Sequence, residues 1–400
     1  MSFRCQYHHS DTFFPDSVKL HPGFPVLFIR ALNQKDMTRQ NDTQMKGGMA
    51  MVMSRYKPSK IKAYLDSRVI GQEEAKKTLA VAVYNHMKRI VRRSQDMSTP
   101  IRKANVIMMG PTGCGKTYLV QCIAEYLNVP YFIQDCTKIT ASGYVGSDVE
   151  DCICGLLRAC NYDVEKARKG IVVLDEIDKN AVKEAGISIT RDVSGECVQQ
   201  SLLKIVEGDL VGVAPQGGRK HPEQPLVYVD TSDILFIATG AFVGLESIVS
   251  KRTDGARKIG FQHDDSPAGT TNILDAVTPQ DLRDFGMIPE FVGRFPVITH
   301  VDSLEKEDLV RILTEPRGSL VSEYRELLEM DGVQLDFEDG ALESVAGRAL
   351  ELGTGARGLR AIMESFMRDV MFEAPDIGGK KERTITVTRE TVERNTRRAV

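Results

Sequence analysis

Gly110-Pro-Thr-Gly-Cys-Gly-Lys-Thr117 constrains this chain more than any other stretch. It follows the apolar run Asn105-Val-Ile-Met-Met109 and opens into apolar residues at helical spacing: Leu119, Val120, Ile123, Ala124 and Leu127. A glycine-rich turn between a strand and a helix can wrap so that successive backbone N–H groups point inward, and the helix adds its positive dipole end. Such a loop suits phosphate, with Lys116 reaching the outer phosphates and the Thr117 hydroxyl ligating magnesium. The sequence therefore predicts a nucleotide site built on Pro111, Thr112, Gly113, Cys114, Gly115, Lys116 and Thr117, with Tyr118 adjoining.

Ile171-Val-Val-Leu-Asp-Glu176 supplies what such a loop needs for chemistry. An apolar strand would deliver two carboxylates to its C-terminal end, beside the phosphates. Asp175 would hold magnesium directly or through water, and Glu176 would polarise the attacking water as general base. Phosphoryl transfer also calls for positive charge near the outer phosphate. Arg294, in Ile288-Pro-Glu-Phe-Val-Gly-Arg-Phe295, and Arg357, in Gly355-Ala-Arg-Gly-Leu-Arg360, are the candidates. On the residues alone, each is equally well an ordinary surface arginine.

Around these motifs the chain reads as an α/β protein. Strands are predicted at Val106 to Met109, Tyr131 to Ile133, Ile171 to Leu174, Ile234 to Thr239 and Val297 to Val301, with helical patterns between most of them. Near-continuous apolar strands separated by helices mean a parallel sheet covered on both faces. Upstream, Ile61, Tyr64 and Leu65 predict a short helix, Val69-Ile-Gly-Gln72 a turn, and Ala75 to Ile90 a longer helix. After Asp302 the periodicity changes to helices near 303–315, 317–330, 339–351 and 356–372, with one strand at Thr384 to Val387. The expected division is a divergent extension at 1–54, an ATPase domain at 55–301 and a smaller helical domain at 302–400. Few periodic apolar positions lie in 1–54, so that extension is expected to be small or partly disordered, and Met45, Met49, Met51 and Met53 leave the start codon open.

Composition narrows the partners. A net charge of −3 with 27% charged residues gives no overall electrostatic case for nucleic acid or an acidic membrane surface. The 8 cysteines are scattered without a C-x-x-C pair, which suits reduced thiols in a cytoplasmic protein better than a disulfide framework or a zinc cage. Cys152 and Cys154 would face apart on a helix and are expected to be small buried hydrophobes. The run Pro25-Val-Leu-Phe-Ile29 is too short to span a membrane. No nucleophile set or H-E-x-x-H points to peptide cleavage.

Taken together, these residues resemble the AAA+ ATPases, and finer strings resemble the ClpX family of hexameric protein unfoldases. The strings are Val69-Ile-Gly-Gln72, Gly143-Tyr-Val-Gly146, Ser188-Ile-Thr-Arg-Asp-Val-Ser-Gly195, Gln216-Gly-Gly-Arg-Lys-His221, Ile259-Gly-Phe261, Gly286-Met-Ile-Pro-Glu-Phe-Val-Gly-Arg294 and Gly355-Ala-Arg-Gly-Leu-Arg360. They run in the family's order over most of the chain. The resemblance implies a P-loop ATPase domain with a parallel sheet covered by helices, followed by a helical lid, with ATP and Mg2+ as cofactors and a homo-hexameric ring.

It also implies roles residue by residue. Val69 and Ile70 match the segment against adenine, Arg294 the arginine finger that reaches a neighbour's ATP, Arg357 the lid arginine, and Thr239 the polar sensor position. Tyr144 and Val145 match a pore loop that grips unfolded or tagged protein substrates; by themselves they are equally well a turn with a half-buried tyrosine. Arg191 falls in a second pore loop, and Arg219, Lys220 and His221 in a basic loop at the channel entrance. Ile259, Gly260 and Phe261 match the tripeptide that docks the ring onto a ClpP-like peptidase, and exposed Ile and Phe on a polar loop suggest a partner in any case.

Departures from the family pattern are as informative. ClpX usually begins with a four-cysteine zinc domain, whereas residues 1–54 hold one cysteine, so no zinc is expected. Cys114 stands where serine is usual, and a thiol at a helix N-terminus is expected to have a low pKa. Gln262 follows the tripeptide where glycine is usual. A stand-alone remodelling chaperone without a peptidase is the first alternative. The related HslU unfoldase would carry a large inserted domain, and a nucleic-acid-dependent AAA+ switch would predict basic interior loops.

Overall fold

Alternate residues of each central strand enter opposite cores, which is why these strands are apolar throughout. The computed structural model describes residues 54–93, 101–139, 149–182, 193–214, 226–257, 272–338, 340–377 and 383–396. In chain order the strands are Val106–Met109 (β1), Tyr131–Asp135 (β2), Ile171–Asp175 (β3), Leu210–Val213 (β4), Val227–Asp230 (β5), Leu235–Gly240 (β6), Val297–His300 (β7), Val333–Phe337 (β8) and Arg383–Val387 (β9). Five of them form one sheet in the order β2-β3-β6-β1-β7, parallel at every pairing.

Val106, Met108, Val173 and Ile237 point to one face, where the helices Pro58–Asp66, Glu73–Arg93 and Lys116–Leu127 cover them. Ile107, Met109, Val172, Leu174 and Phe236 point to the other, under Asp151–Ala159 and Val193–Glu207. Burying one such side chain contributes about 1.5–3 kcal/mol. All five predicted strands belong to this sheet. Cys152 and Cys154 are both buried in the second of these cores and are free thiols.

Beyond β7 a third core gathers Leu309, Leu313, Met363 and Phe366 from the helices Lys306–Thr314 and Ala356–Ile377, with Leu320–Met330 and Ala341–Glu351 packed alongside. The last long helix continues past the predicted end at 372 and carries Pro375 in its final turn, where one hydrogen bond is lost without breaking the helix. The periodicity reading also misses the antiparallel pair β4 and β5, strand β8, which runs parallel to the predicted β9, and the helix Arg389–Thr396. All are short and half-exposed, so their patterns are brief.

Main-chain ties hold the N-terminal turn against the sheet and the helical region. The Gln72 side chain donates to the Asp302 carbonyl at 2.9 Å and accepts the Asp302 N–H at 2.7 Å, and the Arg317 N–H donates to the Ser67 carbonyl at 2.9 Å. Among the described residues no helix is long and apolar enough to cross a membrane.

Candidate nucleotide site

The C-terminal ends of β1, β3 and β6 lie side by side, so the segments leaving them converge. In an open parallel sheet this edge is where ligands bind. The loop after β1 needs glycine at particular places. Gly110, Gly113 and Gly115 have φ of 136°, 80° and 87°, a region that L side chains rarely adopt. At Gly110 a Cβ would also overlap the Val301 carbonyl oxygen, and at Gly113 the Thr354 carbonyl oxygen. The loop is thus clasped between the end of β7 and the turn that starts the long C-terminal helix. The Ala356 N–H donates to the Gly113 carbonyl at 3.1 Å and closes that clasp.

Lys116 opens the helix Lys116–Leu127 with its side chain buried, its ammonium donating to the Gly110 and Pro111 carbonyls at 2.7 and 2.8 Å. Burial lowers its pKa, and the thiol of Cys114 and the carboxylates of Asp175 and Asp178 oppose that shift. Asp175 ends β3. Its Oδ1 accepts the Thr239 hydroxyl at 2.6 Å, and its Oδ2 lies 3.4 Å from the Thr117 hydroxyl. Thr239 is wholly buried near the end of β6. Glu176, the next residue, has φ of 57°, a left-handed conformation for a non-glycine residue, and its side chain is exposed beside the cavity. Strain of this kind costs of order 1–3 kcal/mol and concentrates at functional sites.

A cavity of about 450 Å³ joins these groups. Its lining includes the polar and charged groups of Thr112 to Thr117, Asp175, Glu176, Asp178 and Lys179, the aliphatic side chains of Val69, Ile70, Leu304 and Ile312, and Arg68, Tyr118 and Arg357. A wall that combines phosphate-loop and carboxylate groups with aliphatic side chains fits a nucleoside triphosphate. Thr117 and Asp175 offer two oxygens for magnesium, which commonly shares its shell between one or two protein ligands and phosphate oxygens. Among the described residues no group of three or more His, Cys, Asp and Glu is gathered as a metal cage.

The structure therefore brings together Val69, Ile70, Thr112 to Tyr118, Asp175, Glu176 and Arg357, with Pro111 exposed at the loop's outer edge. Arg294 is not among them. It caps the short helix Pro289–Gly293, is about half exposed, and pairs with Glu207 at 2.6 Å. Tyr144, Val145, Arg191, Arg219, Lys220, His221, Ile259, Gly260 and Phe261 lie outside the described residues. One expectation is corrected. The Cys114 thiol is buried in the core beside Leu119 and Val120, and burial pushes its pKa up; the Leu304 backbone and Lys116 only partly offset this. Position before a helix does not make a thiol acidic when the side chain points into the core.

Reading the sequence missed several lining residues, among them Arg68, Asp178, Lys179, Leu304 and Ile312. Asp178 had a signal, a third carboxylate three residues after Asp175. Leu304 and Ile312 had none, because only folding brings them to the cavity. The clasp gives a direct test. Gly113→Ala should drive apart the loop and the Thr354 turn and weaken binding of a fluorescent ATP analogue about tenfold, alongside a lower Tm. Wild-type affinity and Tm would show that this contact does not form.

A family model described as the AAA domain (Cdc48 subfamily) matches residues 101–298, and one for the C-terminal, D2-small domain of ClpB protein matches residues 304–387. The chain is 50% identical over 337 residues to the ATP-dependent Clp protease ATP-binding subunit ClpX of Borrelia duttonii, an alignment covering 84% of this chain and 78% of that protein. Proteins with the same name from Treponema denticola and Porphyromonas gingivalis are each 48% identical over 328 and 332 residues, covering 81% and 82% of this chain and 79% of each relative. With that extent of identity, and with a phosphate loop, a carboxylate pair and a helical C-terminal region meeting at one cavity, the chain belongs to the ClpX family of AAA+ ATPases.

Proposed function

We propose that this protein is a mechanical ATPase that unfolds proteins and threads them through the pore of a homo-hexameric ring, delivering them to a ClpP-like peptidase. The observation that carries the reading is the clasp between the phosphate loop and the long C-terminal helix. A site that touches both the sheet domain and the helical region can convert a change at the phosphates into a rotation between them. In this reading residues 55–301 are the ATPase domain, 302–400 the lid, and 1–54 a separate extension.

ATP is the nucleotide, with adenine in the slot of Val69, Ile70, Leu304 and Ile312. Lys116 and the loop N–H groups hold the phosphates, and Thr117 and Asp175 hold Mg2+, which neutralises charge on the phosphate oxygens when bound. Glu176 takes the proton of the attacking water, and Arg357 senses the outer phosphate from the lid. Arg294 acts on the ATP of the adjacent subunit, which its exposure and its absence from its own cavity support. Tyr144 and Val145 grip the substrate, Arg191 contributes from a second pore loop, and Arg219, Lys220 and His221 receive it at the entrance. Ile259, Gly260 and Phe261 dock the peptidase.

The test is ATP-dependent loss of fluorescence from a tagged, stably folded reporter, with the peptidase ring first absent and then present. Irreversible loss that needs ATP and peptidase together supports the reading. Equal loss without peptidase, and no complex between the rings, would instead support a stand-alone remodelling chaperone. No ATP-dependent loss in either arm would overturn both.

A further inference from the structure

Asp178 is 6% exposed, and its carboxylate has a single hydrogen bond among the described residues. Oδ2 accepts the Phe242 N–H at 3.2 Å, while Oδ1 has no partner and packs against the backbone of Gly240. A Cβ on Gly240 would come within 2.5 Å of that oxygen. Asp178 sits in the 3-10 turn Ile177–Asn180, which directly follows Glu176, and Phe242 follows Thr239 by three residues. One buried carboxylate thus connects the segment after β3 to the segment after β6.

Both segments are strained where they leave the sheet. Glu176 has φ of 57° and Phe242 φ of 49°, and both are non-glycine residues. Such conformations persist only when the surroundings hold them. Strand pairing already fixes β3 against β6 through the register Leu174 to Ala238, so Asp175 and Thr239 meet without help. Past that point no ladder bond holds the two loops together, and the Asp178 bridge takes over. Burying a polar side chain with one oxygen unpartnered and the other held by a single backbone N–H costs free energy. That expense is unexplained by packing alone, since an apolar side chain would fill the same space.

We propose that Asp178 is a positioning residue for ATP hydrolysis, holding the Phe242 turn against the Glu176 turn so that the exposed Glu176 carboxylate and the Thr239–Asp175 pair keep a fixed relation. This rests on the assignment of Glu176 as the base. Asp178 lines the wall of the cavity, but the role assigned to it is to hold the two turns, so its loss should reduce turnover more than ground-state binding.

The experiment compares Asp178→Ala, Asp178→Asn and Glu176→Gln in the full-length chain. It measures kcat and KM for ATP, the affinity of a fluorescent ATP analogue with magnesium, and Tm. Asp178→Ala should lower kcat about ten- to a hundredfold, the range expected for losing a charged hydrogen bond, with analogue affinity within about threefold of wild type. Asp178→Asn keeps an oxygen that can accept the Phe242 N–H, and should restore kcat to within about threefold. If Asp178→Ala does not fold, Gly240→Ala displaces the carboxylate without removing it and should reproduce the drop in kcat. Wild-type turnover in Asp178→Ala, or in Gly240→Ala where the former is unfolded, would overturn the proposal. So would an Asn variant as impaired as Ala, because charge rather than the bridge would then be at work. Wild-type turnover in Glu176→Gln is a different failure, since it removes the base assignment on which the proposal depends.

Discussion

Glu176→Gln is expected to bind ATP with magnesium at close to wild-type affinity and to hydrolyse it about a thousandfold more slowly. Glutamine keeps the size and the hydrogen-bonding reach of the side chain but cannot accept the proton of the attacking water, and general-base catalysis contributes roughly 10²- to 10⁴-fold. Asp175 cannot substitute. Its Oδ1 accepts the Thr239 hydroxyl and the Glu176 N–H at 3.1 Å, and its Oδ2 faces the Thr117 hydroxyl, with which it would share magnesium. The left-handed turn at Glu176 carries its carboxylate out of the strand direction and leaves it exposed. Single-turnover hydrolysis with a parallel binding titration checks this. Turnover within tenfold of wild type would move the base elsewhere.

Arg294→Ala should produce a loss of similar or greater size by another route. Arginine fingers contribute on the order of 10³- to 10⁵-fold to turnover, and this arginine has no place in the cavity of its own subunit. With half its side chain in solvent and the Glu207 carboxylate as its one side-chain partner among the described residues, it is available to a neighbouring molecule. An exposed pair of this kind is worth little, about 0–1 kcal/mol, so breaking it to reach a neighbour costs little. The variant should bind ATP normally. Mixing it with Lys116→Ala subunits, which supply an intact Arg294 but cannot hold nucleotide, should restore part of the lost ATPase activity. No restoration at any mixing ratio, with mixed rings demonstrated, would exclude action between subunits.

Much of the ATP site was readable because its parts are local. Gly110 to Thr117 and Asp175-Glu176 each compress a function into consecutive residues, and backbone geometry leaves few alternatives for a glycine-rich turn between a strand and a helix. The five sheet strands were readable because each is short, apolar and isolated between helices, which is how a strand buried on both faces must look. Strand β8 was missed although Val333, Leu335 and Phe337 alternate, because five residues of alternation inside a helical region carry little weight against the surrounding helical period. Cys114 was misread for a related reason. The motif places a thiol near a helix N-terminus, but whether it faces solvent or core depends on helices that the motif does not contain.

The residue order alone determined the chemistry: a phosphate loop, a strand ending in two carboxylates, a parallel sheet and a following helical region. These depend on contacts within a few residues and on a period of apolar positions, both written directly into the chain. Only the tertiary structure decided that Leu304 and Ile312 line the same cavity as Val69, and that Gly113 abuts Thr354 and Ala356. It also decided that Thr239 bonds Asp175, that Asp178 bridges two strained turns, and that Arg294 pairs with Glu207 rather than lining its own cavity. Each of these pairs residues far apart in the chain, and such pairs are set by how whole elements pack together, a quantity no local pattern encodes.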